Sequence, residues 1–283
     1  MTINSFKQSK LKPAGDRKKL IDWRLEFMTH LAQGLKDNSW NEVEEAKHNN
    51  YIRINGESYR AVSLADDSPL SKFANSGSCE LATIKQHFGK TPASKDGEWL
   101  EKKRERRLQS RIIQQALINN RNLLTDSIFG KALEGMFDEL IFALDEVSFG
   151  DVKHRPLEVG RENSRCDLVA IGKVGNEIFP VVIELKSERS LDRLLVQLDD
   201  ASNEIMEHLP QFSSLLNALT GMSVSKAVVR KILVWPALVS GRPDRKETAD
   251  ICEERGKAGM FFVEYSPNKF SSPEEIQYSL RTY

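Results

Sequence analysis

The 283-residue chain is 40% apolar and 29% charged, with 41 basic residues balancing 41 acidic ones, a composition that excludes wholesale disorder and fits a soluble protein with a sizeable core. No run approaches about 18 uncharged apolar residues, which excludes a transmembrane helix, and residues 1–10 lack the apolar stretch of a secretory signal, so a cytoplasmic location is expected. The three cysteines, Cys79, Cys166 and Cys252, form no CxxC pair, which argues against a zinc knuckle or a disulfide framework.

Residues 18–35 space their apolar side chains as a helix does, from Leu20 and Trp23 to Leu31 and Leu35. Two alternating runs then flank Asn55-Gly56, a strong hairpin signal. Residues 89–97 (GKTPASKDG) read as a linker, so 1–97 is expected to be an N-terminal α+β region that chooses a target or a partner.

From Glu98 the pattern becomes regular. Residues 98–120 predict a helix, basic at first and apolar later. A second helix is expected over Ser127–Glu146, with Leu133, Phe137, Leu140, Ile141 and Leu144 on its buried face. Strands are expected near 156–160, 166–171 and 178–185. Residues 190–210 predict an amphipathic helix capped by Ser190 and ended before Pro210. KILVWPAL, residues 244–257 and GMFFVEY then read as strand, helix and strand. The order over 98–283 is α-β-β-β-α-β-α-β, an α/β domain with a mixed β-sheet flanked by helices.

The stretch 164–188, SRCDLVAIGKVGNEIFPVVIELKSE, carries the chemistry. Two apolar strands flank Gly175-Asn176, a two-residue turn with glycine first, as a type II′ turn requires. That turn sets Val174 opposite Glu177 and therefore Asp167 opposite Glu184, with Lys186 on the same face two residues on. A bulge at Pro180 would shift this register by one. Opposed carboxylates destabilise a sheet unless something holds them. A divalent cation does so: Asp167, Glu184 and the carbonyl of Leu185 make a hard oxygen site suited to Mg²⁺, with Mn²⁺ able to substitute. Lys186 would place positive charge beside a metal-bound water and an incoming phosphate.

Asp-x16-Glu-Leu-Lys on a hairpin between helices resembles the PD-(D/E)XK nuclease superfamily, with Cys166-Asp167 as its first half and Glu184-Leu185-Lys186 as its second. The resemblance implies a restriction-endonuclease-like αβββαβ core and Mg²⁺-dependent phosphodiester hydrolysis, leaving 5′-phosphate and 3′-hydroxyl ends. It further implies a metal-site acid on the preceding helix, with Glu134 favoured over Glu139, and an active-site glutamine on the following helix, where Gln197 stands. Cys166 replaces the family's proline, and Ala201 stands where exonuclease-like branches carry tyrosine.

Between Lys85 and Lys131 there are eleven basic residues against five acidic ones. Lys102, Lys103, Arg104, Arg106, Arg107 and Arg111 are its centre. They are either a solvated helix face or a set of phosphate contacts to nucleic acid, DNA being the expected substrate. A homodimer or a partner protein could engage the N-terminal region. A non-catalytic binding module on the same fold and an RNA-directed nuclease are the alternatives. The five histidines have no HxH or HExxH spacing, and no GxGxxG, Walker A, GxSxG or kinase signature is present.

Overall fold

A strand in the middle of a covered sheet needs apolar side chains on both faces, and the segments that build the main sheet here are of that kind. The computed structural model describes residues 43–45, 51–54, 57–60, 119–125, 128–148, 165–189, 191–238, 244–266 and 276–283, with further positions spread over 16–33 and 108–116. A small sheet joins β1 (Val43–Glu45), β2 (Tyr51–Ile54) and β3 (Glu57–Arg60). Ile54 stands opposite Glu57, the pairing that the Asn55-Gly56 signal anticipates.

A five-residue helix, α1 (Ile128–Ala132), precedes the main sheet. That sheet has six strands in chain order: β4 (Glu139–Ser148), β5 (Arg165–Val174), β6 (Glu177–Leu185), β7 (Arg230–Pro236), β8 (Met260–Tyr265) and β9 (Tyr278–Arg281). The first three form an antiparallel meander, β7 and β8 run parallel to β6, and β9 returns antiparallel. Parallel neighbours need crossovers. Here α2 (Asp192–Glu207) and α3 (Leu209–Thr220) carry the chain from β6 to β7, and α4 (Lys246–Lys257) carries it from β7 to β8. The protein is mixed α/β, a six-stranded mixed sheet flanked by helices. Among the described residues no helix is long and apolar enough to cross a membrane.

Each face of the sheet has its own core. On one, Leu194, Leu198, Ala201 and Ile205 of α2 and Phe212 of α3 pack with Val169, Val182 and Leu233. Ile21, Trp23 and Leu25 belong to the same cluster. On the other, Leu108, Ile112, Ile113 and Ala116 cover Leu168, Ala170, Ile183 and Ile232. Burying one such side chain contributes about 1.5–3 kcal/mol, so these two clusters fix which residues face which helix layer.

The expected helix over Ser127–Glu146 is corrected. It stops at Ala132, and Glu139–Ser148 is a strand. The run LIFAL is buried on both faces, Leu140 and Phe142 in one core and Ala143 and Leu144 in the other, across a bulge between Phe142 and Leu144. A continuous apolar run satisfies helical and strand periodicity alike. Past the helix end, Gly135, at φ +80°, sits in the turn that Met136 N–H closes on the Leu133 carbonyl at 3.0 Å, and the chain then enters the strand.

Three smaller differences follow from end effects. Pro210 sits in the first turn of α3, where its missing N–H costs nothing, and so starts a helix instead of merely following one. The cap of α2 is Leu191, without a side-chain bond; Ser190 and the expected strand at 156–160 lie outside the described residues. The edge strand β9 had no counterpart in the expected order.

Candidate active site

The hairpin of β5 and β6 sets the register. Gly175 turns it at φ +57°, with Val174 opposite Glu177, and the ladder continues without a shift to Leu168 opposite Ile183. Pro180 makes no bulge, standing opposite Ile171. The reason lies in which edge its missing N–H would face. Its even-numbered neighbours direct their N–H groups away from β5: that of Ile178 goes to Ser225 Oγ at 2.9 Å and that of Lys186 to the Val234 carbonyl at 2.8 Å. Pairing with β7 begins only at Val181, so proline at 180 loses no ladder bond.

Just past the last paired residues, Asp167 and Glu184 meet as the register requires. Each carboxylate is held by the other strand's backbone. Leu185 N–H donates to Asp167 Oδ2 at 2.7 Å, and Asp167 N–H donates to Glu184 Oε2 at 3.3 Å. Lys186 Nζ donates to Glu184 Oε1 at 2.7 Å. Glu184 is only 2% exposed, so the ammonium and the amide are what offset the cost of keeping a carboxylate there. In an extended strand a residue's N–H and C=O leave towards the same edge. The Leu185 carbonyl therefore faces the side on which its N–H meets Asp167.

Two further residues brace this end of the sheet. Continuing the parallel ladder would ask the N–H of residue 236 to donate to the Lys186 carbonyl, but that residue is proline. The hydroxyl of the buried Tyr265 donates there instead, at 2.8 Å. On the β5 side, the side chain of Gln109 donates to the Asp167 carbonyl at 3.0 Å. Neither residue was legible in the sequence, since each bond spans a long stretch of chain. Tyr265→Phe is expected to cost about 1 kcal/mol in urea unfolding, because it removes a hydrogen bond to the part-buried Lys186 carbonyl; an unchanged midpoint would show that the bond contributes nothing.

The acid assigned to the preceding helix is not at this site. Glu134 is exposed in the turn after α1, where its backbone bridges to Phe137. Glu139 opens β4, opposite Lys173 and ion-paired with it at 2.8 Å. Lys173 lies six residues along β5 from Asp167, about 20 Å at the usual strand rise. Both acids belong to the hairpin's far end, because the helix that was to carry Glu134 inward ends at Ala132. What the fold places beside Asp167 is position 146. Asp145 stands opposite Leu168 and Val147 opposite Cys166, which sets Glu146 opposite Asp167. The signal was present: Asp145-Glu146 follow the run LIFAL as Glu184 follows VVI.

Gln197 is half-buried on α2, between the buried Leu194 and Ala201. Val169 and Val182 pack against α2 and share their faces of β5 and β6 with Asp167 and Glu184 by the period of two. The helix carrying Gln197 thus covers the carboxylate face. Cys166 is buried, its thiol donating to the Leu168 carbonyl at 3.0 Å. Burial, and then the charges of Glu184 and Asp167, hold that thiol well above its usual pKa, so it is no nucleophile. The basic positions Lys102, Lys103, Arg104, Arg106, Arg107 and Arg111 lie outside the described residues.

Comparison of the chain with protein-family models, with curated proteins and with solved structures finds no match.

Proposed function

We propose that the chain is a divalent-metal-dependent nuclease of the PD-(D/E)XK kind, hydrolysing phosphodiester bonds in DNA. The observation that carries the reading is the crossed arrangement in which Asp167 and Glu184 accept from each other's strands while Lys186 engages Glu184. The element order supports it: setting aside α1 and α3, helical positions over 108–116, then β4, β5, β6, α2 and β7, read as αβββαβ.

The donor set fits a hard cation, with two carboxylates and one backbone carbonyl on neighbouring strand ends. Asp167, Glu184 and Leu185 would hold Mg²⁺, which supplies an acidified water and charge neutralisation at phosphorus. The chain's own residues do the rest. Asp167 and Glu184 are fixed by backbone donors before any substrate arrives, so no reorganisation is needed at the reacting centre. Lys186, anchored through its carbonyl by Tyr265, presents an ammonium to the phosphate and the attacking water. Gln197 positions that water from α2.

The basic run supplies sequence-independent phosphate contacts. Replacing Arg104, Arg106 and Arg107 with Ala should flatten the slope of log affinity against log salt by up to about three. An unchanged slope returns the run to a solvated helix face. The function itself is tested with a supercoiled plasmid: nicking or linearisation in Mg²⁺ that stops on chelation is expected. Intact DNA and RNA at saturating protein and Mg²⁺ would reject the proposal in favour of a binding module.

A further inference from the structure

The last turn of α2 gathers a second group of ligand-type side chains, on the helix that follows the sheet carboxylates. Glu204, Glu207 and His208 are spaced i, i+3 and i+4, which puts them on one helical face. One ligand atom from each lies within 4.8 Å of the others. His208 has 0% exposure, and its Nδ1 stands 2.7 Å from Asp22 Oδ1.

That contact orders the imidazole. With Nδ1–H donating to the Asp22 carboxylate, the neutral imidazole carries its lone pair on Nε2. Among the described residues Nε2 has no hydrogen-bond partner, and it sits 3.7 Å from Glu204 Oε2, beyond hydrogen-bond reach. A buried lone pair facing a carboxylate oxygen is unfavourable with nothing between them. Two ligands each about 2.1 Å from one ion stand about 3.4 Å apart at the tetrahedral angle. The gap between His208 and Glu204 is a few tenths of an ångström wider than that. A carboxylate holding the far nitrogen of a histidine is also the usual outer partner of a metal-bound imidazole.

We propose that Glu204, Glu207 and His208 form a metal site of the zinc class, oriented from outside by Asp22. The imidazole selects zinc or a similar transition ion over Mg²⁺, which prefers oxygen alone. Lys18 reaches Glu207 at 3.7 Å and balances the one exposed carboxylate without approaching the histidine nitrogen closely enough to satisfy it. Because Asp22 and Lys18 belong to the helical stretch near the N-terminus, the ion would staple that stretch to the end of α2.

The test uses the full chain carrying Asp167→Asn and Glu184→Gln, so that the sheet carboxylates bind nothing. After chelator treatment it is titrated with Zn²⁺ in a calorimeter and with Co²⁺ in an absorbance cell. One equivalent of Zn²⁺ and visible Co²⁺ bands of a nitrogen–oxygen site are expected, both lost in His208→Gln. Should His208→Gln fail to fold, two milder variants decide. Glu207→Gln changes an exposed side chain and should weaken Zn²⁺ at least about tenfold. Asp22→Asn should weaken it about 10- to 100-fold, as loss of an outer partner does. No stoichiometric binding, or binding unchanged in Glu207→Gln and Asp22→Asn, overturns the site and leaves His208 as a structural contact to Asp22.

Discussion

Glu184→Gln is expected to reduce cleavage below detection while the protein remains folded. The substitution keeps the side chain's volume at a buried position and keeps one oxygen able to accept from Asp167 N–H. It removes the negative charge that a divalent cation requires and turns an amide towards the ammonium of Lys186. Stability should change by only about 1 kcal/mol, the scale of one altered hydrogen bond. Urea unfolding and single-turnover cleavage separate the two effects. If Glu184→Gln cuts at the wild-type rate in Mg²⁺, the hairpin end is not a metal site.

Lys186→Ala comes next in size and divides a structural from a catalytic role. Glu184 is 2% exposed and loses its ammonium partner in this variant, so some destabilisation is expected, about 1–3 kcal/mol. A merely structural lysine would show that and no more. As an electrostatic stabiliser of charge developing on the phosphate, its loss should cut single-turnover rate by at least about 10²-fold with substrate affinity near normal. Lys186→Arg should restore stability better than rate, because a planar guanidinium meets the water and phosphate differently from a compact ammonium. Retention of most of the wild-type rate in Lys186→Ala would return the residue to the structural role.

The hairpin was legible because two local rules agree there. Gly175-Asn176 admits one turn type, and apolar strands on either side admit one register, so the meeting of Asp167 and Glu184 could be read without coordinates. The strand before it was not legible. LIFAL lies between two cores, and burial on both faces erases the alternation that distinguishes strand from helix. That single ambiguity carried Glu134 to the wrong end of the sheet and hid position 146. The bracing by Tyr265 and Gln109 depends on pairings that no local pattern specifies. Pro236 was a hint only once β7 was known to lie beside β6. His208 illustrates the same limit, since its partner Asp22 is 186 positions away and the histidine itself fits no short metal motif.

The most direct test of the central claim is single-turnover cleavage of DNA at saturating protein, measured against Mg²⁺ concentration for wild type and Asp167→Asn. Asp167 keeps its backbone-positioned oxygen in this variant but loses its charge. No cleavage is expected without the cation, a saturable rise with it in the wild type, and a rate at least about 10²-fold lower in Asp167→Asn at every concentration. Cleavage that ignores Mg²⁺, or an Asp167→Asn curve that overlays the wild type, would contradict it.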